Sequence, residues 1–169
     1  MIFVTVGTHE QPFDRLIKAI DDLKADGTLT EEVIIQTGYS TYIPKHCTWK
    51  KIFPYSEMKR LVRSARIVIT HGGPSSFLMA IRNNKVPVVV PRMRRFGEHI
   101  NDHQVVFCRE VMIRDQNILL VEDIERLRDV LLSYETRIAV LCSKTVSNNA
   151  AFNEALQKIV DGLFAQVHS

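Results

Sequence analysis

The sequence predicts an α/β fold, a doubly wound parallel sheet with helices on both faces. Three observations carry this. Short apolar runs rich in Val and Ile alternate with longer segments whose apolar residues recur at helical spacing. The short runs are apolar on successive residues, as in strands buried on both faces. Gly or Pro closes several of them.

Taken in order, Ile2 to Val6 is the first strand, closed by Gly7. Phe13, Leu16, Ile17, Ile20 and Leu23 form a helical stripe that begins beside Pro12 and ends before Asp26-Gly27. Val33 to Gln36 is the second strand, ending before Gly38, and Trp49 to Phe53 the third, closed by Pro54. Ser56 is expected to cap a helix through Val62. Arg66 to Thr70 is a strand, followed at once by His71-Gly72-Gly73-Pro74. Ser75 to Asn83 reads as a helix, and Val86 to Val90 as a buried strand closed by Pro91. A helix over Asn101 to Glu110, a strand over Ile118 to Val121 and a helix over Asp123 to Leu132 follow. The tail, about 147 to 164, is expected to be a long helix with Ala151, Phe152, Ala155, Leu156, Ile159, Val160 and Leu163 on one side. No repeat or linker divides the chain, so residues 1–169 are read as one domain.

The totals narrow the function. A chain of 169 residues with 46% hydrophobic and 24% charged residues has the composition of a folded globular protein. A net charge of +3 is too small to argue for nucleic acid. Cys47, Cys108 and Cys142 have neither zinc-site nor redox spacing, which suits reduced thiols. No apolar run approaches the ~20 residues of a membrane span, so any membrane association has to come from elsewhere.

Parallel sheets bind ligands at the carboxyl ends of their strands. Three such ends carry polar residues: Gly7-Thr8-His9-Glu10-Gln11, Thr70 to Ser76, and the stretch from Pro91 through Arg92, Arg94 and Arg95 to Gln104. In the second, Gly72 and Gly73 let backbone approach a ligand, and Pro74 suits the first turn of a helix. Ser75 and Ser76 place hydroxyls beside the free N–H groups of that turn. A helix start of this kind suits a diphosphate, and His71 could donate to a phosphoryl oxygen. The plainer reading is a tight turn with Ser75 as a cap.

From Ile69 to Gln104 the order is strand, His-x-Gly, hydroxyl residues, helix, a Val-Pro-Val-Val-Val-Pro strand and a Gln-bearing element. This resembles the Rossmann-like carboxyl-terminal half of the two-domain GT-B glycosyltransferases, of the glycosyltransferase family 28 C-terminal type. With segments 7–11 and 96–104, it is most similar to short bacterial chains that form the catalytic half of split exopolysaccharide and capsule glycosyltransferases. The catalytic subunit of the eukaryotic UDP-GlcNAc transferase of asparagine-linked glycosylation is a more distant likeness. The resemblance runs from Phe3 to about Val121 and fades in the tail.

Carried over by position, the resemblance implies that Gly7 and Thr8 lie against the donor diphosphate, with His71, Gly72, Gly73, Ser75 and Ser76 on its other side. It implies that Asp102 and Gln104 contact hydroxyls of the transferred sugar. Many such sites carry an acid eight positions after the histidine to hold the ribose; here that position is Met79, and Glu98 is the substitute considered. The implied reaction is transfer of a hexose, galactose in a β-1,4 linkage among the possibilities, from a UDP-sugar to a lipid-linked saccharide acceptor.

Glycosyl transfer needs stabilisation of the leaving diphosphate and a base for the acceptor hydroxyl. No Asp-x-Asp motif is present, so neither a divalent metal nor another cofactor is expected, and Arg92, Arg94 and Arg95 are candidates for added positive charge. His9 and Glu10 lead as the base, with Glu98 and His99 as alternatives. Adjacent residues on an extended segment point apart, so His9 and Glu10 are not expected to form a dyad. The resemblance also implies a membrane-anchored subunit, equivalent to the amino-terminal half, that holds this chain at the inner, cytoplasmic face of the plasma membrane. A homodimer is the alternative when the chain is alone. A non-catalytic nucleotide-sugar-binding or regulatory module is the competing function.

Overall fold

The apolar runs and stripes become a six-stranded sheet and its helices in the computed structural model, which describes residues 1–145. The strands are β1 Ile2–Thr5, β2 Val33–Gln36, β3 Thr48–Lys50, β4 Ile67–His71, β5 Val88–Val90 and β6 Leu119–Leu120. All pairings are parallel, in the order β3-β2-β1-β4-β5-β6. The helices are α1 Asp14–Ala25, α2 Tyr55–Ser64, α3 Pro74–Ile81, α4 His103–Asp115, α5 Leu127–Leu132 and α6 Tyr134–Thr145. The chain forms two compact units, Met1–Tyr134 and Glu135–Ser169. The first holds the whole sheet; of the second, the described part is helical. The helix expected over 147–164 lies outside the described residues.

The strand order reverses beside β1: the chain moves one way from β1 to β2 and β3, then returns to place β4 on the other side. Right-handed crossovers on opposite sides of β1 put helices on both faces and open a crevice between the carboxyl ends of β1 and β4. Phe3 pairs with Val68, and Thr70 with Val89, so Phe3, Val68 and Val89 share a face. That face is covered by Phe53, Leu61, Val62, Phe77, Ala80, Cys108 and Val111 from α2, α3, α4 and the β3–α2 turn. The alternate residues Ile2, Val4, Ile67, Ile69 and Val88 are equally buried. Their cover comes from the α1 side, where Leu16, Ile17, Ile20 and Leu23 are buried and α1 packs on the turn before α5.

Several boundaries differ from the sequence reading, three of them with a visible local cause. β3 stops at Lys50, short of the expected Phe53. The Phe53 N–H is taken by Gln36 Oε1 (2.9 Å), which turns the chain away from the sheet edge. Ser56 does not cap α2: Pro54 precedes the helix, and its carbonyl accepts from Met58 N–H. α4 begins at His103, not Asn101, because Asn101 Oδ1 accepts from the His103 N–H and forms a turn ahead of the helix.

Candidate functional site

The floor of the crevice is built by glycines. Gly7 ends β1 with φ +76°, a conformation that disfavours side chains. A Cβ on Gly7 would lie 2.5 Å from His71 Nε2, and one on Gly38 would lie 2.6 Å from the Gly7 carbonyl oxygen. The ends of β1, β2 and β4 therefore close on one another with backbone and one imidazole.

His71 is buried at the end of β4. Its Nδ1 accepts the Gly73 N–H at 3.0 Å, so in the neutral ring Nε2 carries the proton and donates to Ser76 Oγ, also at 3.0 Å. Burial, reinforced by the nearby Arg92 charge, pushes its pKa down to about 4. The ring is thus neutral and both nitrogens are engaged within the turn. The direct bond to a phosphoryl oxygen expected from the sequence has no free donor here, and His71 instead sets the path of residues 71–76. A Cβ on Gly73 would come 2.1 Å from His71 Cε1, so Gly73 is needed first for the ring and only then for any ligand. Gly72 packs against Gln104 and Cys108. α3 follows with Gly73 at its cap position, Pro74 at its start and no side-chain cap, so the capping expected of Ser75 does not occur.

The structure separates the three arginines after β5 that the sequence offered as added positive charge. Arg92 is fully buried. Its guanidinium donates to the carbonyls of Val6 (2.8 Å), Gln11 (2.7 Å) and Glu98 (3.1 Å), and lies over the Phe13 ring. It therefore ties the end of β1 to the segments on either side and is spent as a clamp. Arg94 and Arg95 remain exposed. Glu98 is also buried, and its carboxylate takes two bonds from Arg15 (2.8 and 2.9 Å) and one from the Met93 N–H. Glu98, considered from the sequence as a ribose ligand or base, thus has both oxygens bonded by Arg15. Gln104, at the start of α4, accepts from the Arg92 N–H at 3.2 Å beside Gly72. Asp102 is exposed and accepts from the Arg94 N–H.

Thr8 and Glu10 are exposed and His9 half-buried. His9 Nε2 bonds Gln11 Oε1 at 3.0 Å, and its ring stacks on His99 with centroids 4.7 Å apart. His103 meets His99 edge-on at 4.5 Å. Three imidazoles from two strand ends thus meet. The sequence marked His9 and His99 separately and left out His103, since nothing in their spacing signals stacking. Among the described residues, no group of three or more His, Cys, Asp or Glu side chains is placed to hold a metal ion.

Ser75 is exposed and lines a groove of about 510 Å³ between α2 and α3, with Tyr55, Lys59, Arg63, Leu78, Met79 and Arg82. The sequence placed Ser75 near the phosphates but did not show this groove, because its walls come from two helices distant in sequence. Met79 forms part of its wall, so it is only partly committed to the core.

A parallel sheet in this order, with a glycine-built crevice at the reversal, places the chain in the Rossmann-like α/β class. Within that class it belongs to the glycosyltransferase family 28 C-terminal domain family, whose model matches residues 1–159. Among solved structures, the chain is similar to the glycotransferase of kitacinnamycin, at 15% identity and a TM-score of 0.61, over 83% of this chain and 36% of that one. It is also similar to the glycosyltransferase SnogD from Streptomyces nogalater, at 19% identity and a TM-score of 0.49, over 92% of this chain and 43% of that one. The chain thus spans less than half the length of either. The first likeness shows a shared fold. No curated protein matches the chain in sequence.

Proposed function

We propose that this chain is the donor-binding half of a glycosyltransferase that takes a UDP-sugar and transfers its hexose to a lipid-linked saccharide in exopolysaccharide or capsule synthesis. The observation that carries the reading is the turn at 71–76, fixed by His71 and set beside Gly7 at the reversal of strand order in a chain of this family. The diphosphate lies over that turn, where backbone approaches without Cβ atoms and the start of α3 favours anions. Thr8 faces it from β1, and Asp102 and Gln104 reach the sugar. The nucleoside runs past Ser75 into the groove beside Met79, where Tyr55 and Leu78 offer apolar surface and Lys59 and Arg82 offer charge.

His9 or Glu10 serves the acceptor hydroxyl, since both follow β1 at the open side of the crevice. No divalent metal is required, because charge on the leaving diphosphate is met by the helix start and nearby cations. A membrane-anchored second subunit supplies the opposing wall and holds the chain at the inner face of the plasma membrane.

Calorimetric titration of UDP tests the placement. Ser75→Trp fills the groove from an exposed position, so the fold should survive, and affinity should fall at least about tenfold, or 1.4 kcal/mol. Unchanged affinity in the folded variant refutes it. Met79, where relatives of this type carry an acid, keeps a second reading in view, a nucleotide-sugar-binding module without turnover. Transfer in the presence of the second subunit separates the two.

A further inference from the structure

His9, His99 and His103 are brought together by three parts of the chain: the loop after β1, the loop after β5 and the first residue of α4. His99 is the middle ring, stacked on His9 with an interplanar angle of 20° and met by the edge of His103 at 80°. Other polar groups explain little of this arrangement. His9 holds Gln11 and His103 holds Asn101, while the Asn101 N–H reaches His99 Nδ1 only at a long 3.4 Å. Three adjacent imidazoles cannot all be cationic, because like charges at this spacing repel. An imidazolium at His99 lies against the face of a neutral His9, and a ring face attracts a cation. The stack therefore has room for one proton, and His99 is the ring in contact with both of the others.

The surrounding charges decide when that proton is present. Burial first, then His103, His9 and Arg92, hold the His99 pKa below its usual 6.5. From the end of β4, His71 is neutral. After β5, Arg92 is cationic, Arg94 and Arg95 are exposed cations, Glu98 is paired with Arg15 of α1, and Asp102 accepts from the Arg94 N–H. On the β1 loop, Glu10 is exposed next to His9. The free stack is thus short of negative charge. An oxyanion arriving at the crevice would supply it.

We propose that His9, His99 and His103 form a proton-linked oxyanion site, at which docking of the donor's diphosphate is coupled to uptake of one proton by His99. This rests on the donor reading above. The proton comes from solvent or buffer and adds to His99 Nδ1, which gives up only the long contact to Asn101. Bound diphosphate and imidazolium then stabilise each other. The linkage has a definite sign. The anion raises the His99 pKa, so donor affinity is greatest below the free-state pKa and declines as pH rises through the bound-state value.

The test uses the full chain with UDP-glucose, whose diphosphate does not itself titrate near neutrality. Calorimetry in buffers of different ionisation enthalpy, at about pH 6.5 to 7, should show uptake of a sizeable fraction of one proton per ligand bound. His99→Gln should abolish the uptake and weaken binding about fivefold at pH 6.5 with little change at pH 8.5, since only the protonated ring is lost. His103→Gln should reduce both effects. Imidazole NMR titrations, with UDP-glucose and separately with sulfate, should show the His99 pKa rising with either ligand. If UDP-glucose binds with no uptake and no His99 shift, the oxyanion site is refuted and the donor reading stands. If UDP-glucose fails to bind but sulfate raises the His99 pKa, the donor reading fails and the site stands. If neither ligand moves His99, the site is refuted.

Discussion

At the scale of single residues, the turn at 71–76 depends on one ring and the glycines around it. Gly73→Ala places a Cβ 2.1 Å from His71 Cε1, so it should destabilise the protein by about 1–3 kcal/mol. In a His71→Ala background the clash disappears, and the same change should cost little; urea unfolding of the four proteins in this cycle measures the coupling. Additive costs would mean that the ring does not set the turn. His71 also makes stability depend on pH. Its native pKa is about 4 against 6.5 for a free imidazole, so between those values the unfolded chain binds a proton that the native chain does not. Stability should therefore fall as pH drops from 6.5 towards 4, by on the order of 3 kcal/mol from this group, and be unaffected by it above 6.5. His71→Asn keeps an acceptor near the Nδ1 position, and its unfolding midpoint should lose much of this slope. The sequence located His71, Gly72 and Gly73 at a strand end. It did not reveal that the histidine's two nitrogens serve Gly73 and Ser76, because that depends on the path of the turn.

At the scale of elements, the crevice wall is a set of loops held by Arg92. Its charge shares the interior with four backbone carbonyls, those of Val6, Gln11, Pro12 and Glu98, and with the Phe13 face. Arg92→Lys supplies a single ammonium that cannot span these acceptors. It should lower stability by about 2–4 kcal/mol, read as a shift in the denaturant midpoint with an unchanged slope. It should also weaken UDP binding, because the β1 loop and the 98–104 segment lose their common anchor. An exposed arginine would show neither effect. The strands β1, β2, β4 and β5 were legible from apolar runs because both their faces are buried. β3 was legible only in part: all three of its residues are exposed at the sheet edge, so burial left no pattern to mark where pairing stops. The sequence offered Glu98 and Arg92 as site residues and gave no sign of their burial, since their partners Arg15 and Val6 are more than eighty positions away.

At the scale of the whole molecule, one Rossmann-like sheet has its crevice at the reversal of strand order beside β1. Reacting atoms must be held together and water excluded for efficient transfer. The chain covers 36% of the solved glycotransferase of kitacinnamycin, whose fold it shares. Among the described residues, no helix is long and apolar enough to cross a membrane. On the proposed reading, we expect little transfer from this chain alone and robust transfer when a membrane-anchored second subunit is supplied. Radiolabelled UDP-sugars on membranes bearing the lipid-linked acceptor, with and without that subunit, measure this. Full activity from the purified chain would refute the split-enzyme model and favour a homodimer.

What the sequence determined by itself was whatever is encoded locally. Buried runs such as Val33–Gln36 and the stripe from Phe13 to Leu23 announce strands and helices. Gly7 and Gly72-Gly73 mark where the chain must turn at strand ends, and strand ends in a parallel sheet are where ligands bind. The tertiary structure alone decided which polar groups stay open at the strand ends and which are consumed inside the protein. His71, Arg92 and Glu98 went inward because the interior offered each a fixed set of partners, which offset the cost of leaving water. His9, His99 and His103 met at the opening because the reversal of strand order brings the end of β1 beside the segment that follows β5. Side-chain fate follows three-dimensional proximity, and a one-dimensional pattern carries little of it.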